Sequence, residues 1–90
     1  MRALEHDPGI LEEIATLDPS AAQLLERKLH LARENPFRYK RLYSPGRHLF
    51  CIKFSDRRKE KRLVYEVEKD AIIVRRIIDR DKDYRELRKR

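Results

Sequence analysis

Apolar residues recur every three or four positions through the first third of the chain, which is the period of a helix with one buried face. Ile10, Leu11, Ile14 and Leu17 form one stripe, and Ala21, Leu24, Leu25, Leu29 and Ala32, with Lys28 in line, form a second. Asp7-Pro8 and Asp18-Pro19 each pair a capping side chain with a proline, which fits the first helical position because its missing N–H has no partner there. The pattern therefore predicts two helices, one starting at each pair. Asn35-Pro36 ends the second, since the residue before proline is driven out of the α region. Arg2 to His6 is too brief to assign firmly and is compatible with a strand.

From Phe37 onward the period shortens to two, and β-branched and aromatic residues accumulate. His48 to Ser55 sets Phe50, Ile52 and Phe54 on one face against Leu49, Cys51 and Lys53 on the other. Lys61 to Glu68 sets Leu63, Tyr65 and Val67 against Arg62, Val64, Glu66 and Glu68. The stretch Asp56 to Glu60 reads as a charged hairpin tip, and Lys69-Asp70 as a second tip. Ala71 to Ile78 is apolar on both faces, as a central strand is. The expected fold is α+β: an N-terminal helical hairpin on one face of a mainly antiparallel sheet, with the other face left to Lys53, Arg62 and their neighbours. Tyr84 to Arg90 reads either as a short basic helix or as a loose tail.

Composition narrows this picture. Ninety residues, 40% hydrophobic and 43% charged, make one domain, residues 1–90, because so short a chain cannot divide its apolar side chains between two cores. The apolar repeats argue against a chain that stays unfolded. Cys51 is the single cysteine, so neither an internal disulfide nor a cysteine zinc cage is available, and a reducing cytoplasm is the expected setting. No apolar run approaches the roughly 18 residues of a membrane helix, and the N-terminus has no basic-then-apolar export signal. No membrane partner is expected.

Charge changes the reading most. The net charge is +7, yet residues 1–34 carry four basic and seven acidic side chains, while residues 35–90 carry 19 basic and nine acidic ones. A net +10 on one half favours a face that attracts phosphates over an evenly solvated surface. Arg38-Tyr39-Lys40-Arg41-Leu42-Tyr43 interleaves rings and cations, as surfaces that stack bases and neutralise a backbone do. Arg57-Arg58-Lys59-Glu60-Lys61-Arg62 is a denser cluster, suited either to solubility or to gripping RNA. His48 adjoins Arg47 but reads as a strand-end residue, and Cys51 as a small buried hydrophobe.

In the order of its parts the chain resembles the RelE/ParE superfamily of toxin–antitoxin toxins. The resemblance rests on Glu34-Asn35-Pro36-Phe37, on Phe50-Cys51-Ile52-Lys53-Phe54, on Lys61-Arg62-Leu63-Val64-Tyr65-Glu66-Val67 and on Ile77-Ile78-Asp79-Arg80-Asp81-Lys82-Asp83-Tyr84. It covers nearly the whole chain and implies a helical hairpin packed on a curved antiparallel sheet. It also implies a toxin that cuts messenger RNA, often in the ribosomal decoding site, and an antitoxin protein that wraps around it. Lys53, Arg62, Arg80 and Tyr84 match the family's catalytic positions. Asp79 departs from the pattern, standing where many members have a histidine, which calls an imidazole-based mechanism into question.

Metal-independent RNA cleavage needs a proton taken from a 2′-hydroxyl, charge neutralised on the phosphate and a proton given to the departing 5′-oxygen. Arg62 and Arg80 suit the second task, because a guanidinium fork matches two phosphate oxygens; the competing reading pairs them with Glu66, Asp79 or Asp81. Lys53 is a candidate for moving a proton, and Tyr84 for stacking on a base or for acid–base work. Lys40, Arg41, Arg47, Arg57, Arg58, Lys61 and Lys82 are expected to contact RNA. No cofactor and no metal is implied. A gyrase-directed toxin of the same fold and an inactive RNA-binding relative are the alternatives.

Overall fold

The computed structural model describes residues 1–79, which form β1 (Ala3–His6), α1 (Ile10–Ala15), α2 (Pro19–Glu34), β2 (Lys40–Leu42), β3 (Leu49–Asp56), β4 (Lys59–Val67) and β5 (Ala71–Asp79). The five strands make one sheet in the order β1-β5-β4-β3-β2. β1 runs parallel to β5, and the other three pairings are antiparallel. The brief N-terminal segment is thus an edge strand of a mixed sheet, and β5, expected to be central from its two apolar faces, is an interior strand between β1 and β4. No helix among the described residues is long and apolar enough to cross a membrane.

The second helix begins and ends where its sequence says. The Asp18 carboxylate accepts from the Ser20 amide at 3.2 Å and from its hydroxyl at 2.6 Å, Pro19 occupies the first turn, and Asn35 leaves the helix with φ −142°. Those two Ser20 bonds hold the Asp18 carboxyl below its ordinary value. The first helix departs from expectation, because its cap is Gly9 at φ +87°, not Asp7. Asp7 is taken by the sheet: its amide donates to the Val74 carbonyl and its carboxylate accepts from Arg75 at 2.8 Å. Pro8 and Gly9 then turn the chain into a helix of six residues.

Phe50, Ile52 and Phe54 of β3, Leu63, Tyr65 and Val67 of β4 and Ile72 and Val74 of β5 meet Ile10 and Leu17 and the α2 stripe Ala21, Leu25, Leu29 and Ala32 in the main core. Leu11, expected on the first stripe, is exposed. Tyr65 stacks on Phe50, with ring centroids 5.7 Å apart, and its buried hydroxyl donates to the Pro36 carbonyl at 2.7 Å. Burial pushes that phenol well above its usual range. Asp56 ties the layers together at the far end of β3, where its buried carboxylate accepts from the Asp18 amide at 2.8 Å.

The opposite face is not a bare polar surface, contrary to the expectation from alternation. Leu49, Cys51, Val64 and Ile78 are buried there in a second, smaller cluster with Leu42 packed against it, and Arg62 is 7% exposed. Alternation missed this because β3, β4 and β5 each place apolar side chains on this face among the cations.

Between β3 and β4 the chain reverses through only Arg57 and Arg58, both in the left-handed region at φ 50° and 69°. A two-residue reversal of this kind favours Asn and Gly, because an L side chain there is strained by about 1–2 kcal/mol. Arg57 recovers part of this by donating to the Thr16 carbonyl at 3.2 Å. Arg58→Gly removes the strain and adds backbone entropy to the unfolded chain, for a net stabilisation of about 0.5–1 kcal/mol. A thermal melt should read this as a rise of a few degrees; an unchanged or lower midpoint would show that the turn is not strained.

Candidate nucleic-acid interface

Register decides which of the basic side chains share a face. Lys53 on β3 stands directly opposite Arg62 on β4, and Arg62 opposite Ile78 on β5. In the neighbouring row Lys40, Cys51, Val64 and Arg76 follow one another across β2, β3, β4 and β5. All of these lie on the face turned away from the helices. Lys53 is exposed, and its carbonyl accepts from Lys28 at 3.0 Å. Arg62 is buried, with Nη1 3.9 Å from Sγ of Cys51. Lys53 and Arg62 are therefore a like-charge pair directly across a ladder, an arrangement that destabilises a sheet by several tenths of a kcal/mol or about 1 kcal/mol.

The remaining candidates separate by their partners. Arg47, in the loop before β3, forks onto Glu66 at 2.8 and 3.3 Å. Lys61 lies 3.8 Å from both Asp56 and Asp79, on the helix side of the sheet. Arg57 faces Asp56 at 3.9 Å and the Thr16 carbonyl. Arg41 also lies on the helix side, its guanidinium 5.9 Å from the Phe50 ring centroid and 3.3 Å from Nδ1 of His48. Arg58 is exposed at the hairpin tip. Lys53, Arg62 and Lys40 come together, whereas Arg41, Arg47, Arg57 and Lys61 are distributed elsewhere. Arg80, Lys82 and Tyr84 lie outside the described residues.

Two arginines that the pattern did not single out matter here. β5 carries a bulge opposite Val64 and Tyr65, so Arg75 is an extra residue and the face alternation restarts after it. Arg75 donates to Glu66 at 3.0 Å and to Asp7 at 2.8 Å, joining β5, β4 and the end of β1. Arg76 falls on the basic face. The signal was present in the spacing of the inward apolar residues, Ile72, Val74 and Ile77, whose last interval is three instead of two.

The sequence matches no family model, and no curated protein shows significant similarity to it. Solved structures do match. A chain of the intact E. coli RelBE toxin–antitoxin complex superposes with a TM-score of 0.75 at 26% identity, covering 91% of this chain and 100% of that one. The isolated E. coli RelE toxin gives 0.71 at 27% identity over 99% and 97%, and an arginine-to-alanine double mutant of E. coli RelE in the free state gives 0.73 at 25% over 92% and 87%. The helix pair and five-stranded sheet thus define a chain of the class of toxin–antitoxin toxins. Within that class its likeness is to RelE.

Glu66 is the electrostatic hub of the basic face. The fork from Arg47, and next the bond from Arg75, hold its carboxyl below the ordinary value near 4.5 against the opposing effect of burial. A carboxyl more acidic in the folded than in the unfolded state stabilises above its ordinary value, and that contribution disappears as pH falls through the folded value. In urea unfolding at pH 7, Glu66→Gln should be about 1–3 kcal/mol less stable than wild type, and the gap should narrow toward pH 3. A gap independent of pH would refute the assignment.

Proposed function

We propose that this chain is the toxin of a toxin–antitoxin pair and that it cleaves messenger RNA on the basic face of its sheet in the cytoplasm. The observation that carries the reading is the Lys53–Arg62 pair: two cations in direct register, on the face away from the helices; the resemblance to the superfamily implies a catalytic role at both positions. Two cations in register offer a phosphodiester charge from both sides, which is what a developing phosphorane needs. The likeness to RelE supports the reading from a second direction.

In this reaction the 2′-oxygen bonds to phosphorus while the bond from phosphorus to the 5′-oxygen breaks. Arg62, held in place by its burial, neutralises charge growing on the non-bridging oxygens; a preoriented guanidinium stabilises the transition state more than a mobile one. Lys53, exposed beside it, handles a proton. Arg80 adds a second guanidinium and Tyr84 stacks on a base or serves in proton transfer, both on the strength of the resemblance. Messenger RNA presented by the ribosome is the substrate in this reading, with ribosomal RNA as a further contact for the cations around the site.

The E. coli relative is seen in complex with its antitoxin. By the same likeness the protein partner here is an antitoxin, whose acidic, partly disordered segment would fold on the cationic surface.

Incubation of the purified chain with ribosomes carrying a defined message tests the proposal. Wild type should produce discrete cleavage products and arrest growth when induced. Lys53→Ala, at an exposed position, should melt no lower than wild type, since it relieves a like-charge pair, and lose about 10²–10⁴-fold in cleavage rate. Arrest of growth with the message intact, unaffected by Lys53→Ala and Arg62→Ala together, would identify a toxin that does not cut RNA.

A further inference from the structure

We propose that Arg76 is a phosphate anchor at one end of a track of four cations that lays a single RNA strand across the sheet, from Lys40 through Lys53 and Arg62 to Arg76. The nature of the ligand rests on the reading under Proposed function; the path and the role of Arg76 do not follow from that reading.

The path follows from register. Lys53 and Arg62 are direct cross-strand neighbours, Lys40 is diagonal to Lys53, and Arg76 is diagonal to Arg62. Direct neighbours stand about 5 Å apart and diagonal ones about 7–8 Å, so the four charges form a shallow arc across the strands, its ends in the Cys51–Val64 row and its middle in the next, with steps on the scale of a sugar–phosphate repeat. The β5 bulge at Arg75 puts Arg76 on this face.

The partners of the two adjacent arginines are in sharp contrast. Arg75 takes Asp7 and Glu66 and reaches Glu68 at 3.9 Å. The Arg76 side chain is exposed and makes no hydrogen bond or ion pair among the described residues. With Glu66 already shared between Arg47 and Arg75, no carboxylate among the described residues neutralises this end of the arc.

The same face argues for a polynucleotide over a protein. Protein interfaces draw their energy from apolar and aromatic anchors, but the apolar residues between these cations, Cys51, Val64 and Ile78, are buried at 2% exposure or less. What the face offers is charge, which is what a phosphate backbone binds.

Fluorescence anisotropy with a labelled 2′-O-methyl oligouridine, which cannot be cleaved through its 2′-oxygen, tests the track. Arg76→Gln keeps most of the side-chain stem and should leave the thermal melt unchanged. It should weaken binding by about tenfold and make the log–log salt slope shallower by about 0.7, while Arg76→Lys restores most of the affinity. Arg27→Gln, on the exposed side of α2, is the control for bulk charge. Equal binding by Arg76→Gln and wild type, or an equal loss in Arg27→Gln, overturns the track and leaves the nuclease reading standing. Failure of wild type to bind the oligonucleotide overturns both. Polyglutamate binding as tightly as RNA, with the same dependence on Arg76, replaces RNA by an acidic protein and overturns the assignment.

Discussion

The pairing of β3 with β4 in one register is the constraint on which the site depends. Side chains alternate between the two faces of a sheet, so slipping either strand by one residue would turn its whole apolar set away from the helices and its cations toward them. Phe50, Ile52 and Phe54 on one strand and Leu63, Tyr65 and Val67 on the other must all meet α2, and this forces Lys53 and Arg62 to face each other on the far side. The apolar core thus holds together two like charges that would otherwise separate. The short reversal at Arg57 and Arg58 leaves no slack for another register.

Carboxylates then determine which cations can act. Glu66 engages Arg47 and Arg75, Asp7 holds Arg75 a second time, and Asp56 lies near Arg57 and Lys61 while accepting the amide at the start of α2. These groups knit the loops and the helix layer to the sheet. Lys40, Lys53 and Arg76 have no such carboxylate among the described residues. A chain with 43% charged residues is thereby divided into a bonded frame and a few exposed cations, Lys40, Lys53 and Arg76, beside the buried Arg62. The positive balance of the composition is thereby concentrated on one face, where exposed cations set up a field that paired surface charges do not.

Apolar alternation and proline capping were sufficient to place the second helix, the three long strands and the interior position of β5, since each depends on side chains within a few residues of one another. The first helix was misplaced because Asp7 had a stronger claimant 68 residues away, the Arg75 guanidinium. Lys53 and Arg62 were legible as candidates from their parity and from the superfamily pattern. Arg76 was not, because counting by twos from Ile72 fails at the bulge.

Composition and periodicity alone established an α+β domain with a basic half, for these are local properties of the chain. Which cations stand together, which are bound by carboxylates and which strand lies parallel at the edge were decided by the tertiary structure. Ion pairing and strand order link residues far apart in sequence, and no local pattern records the distance between them.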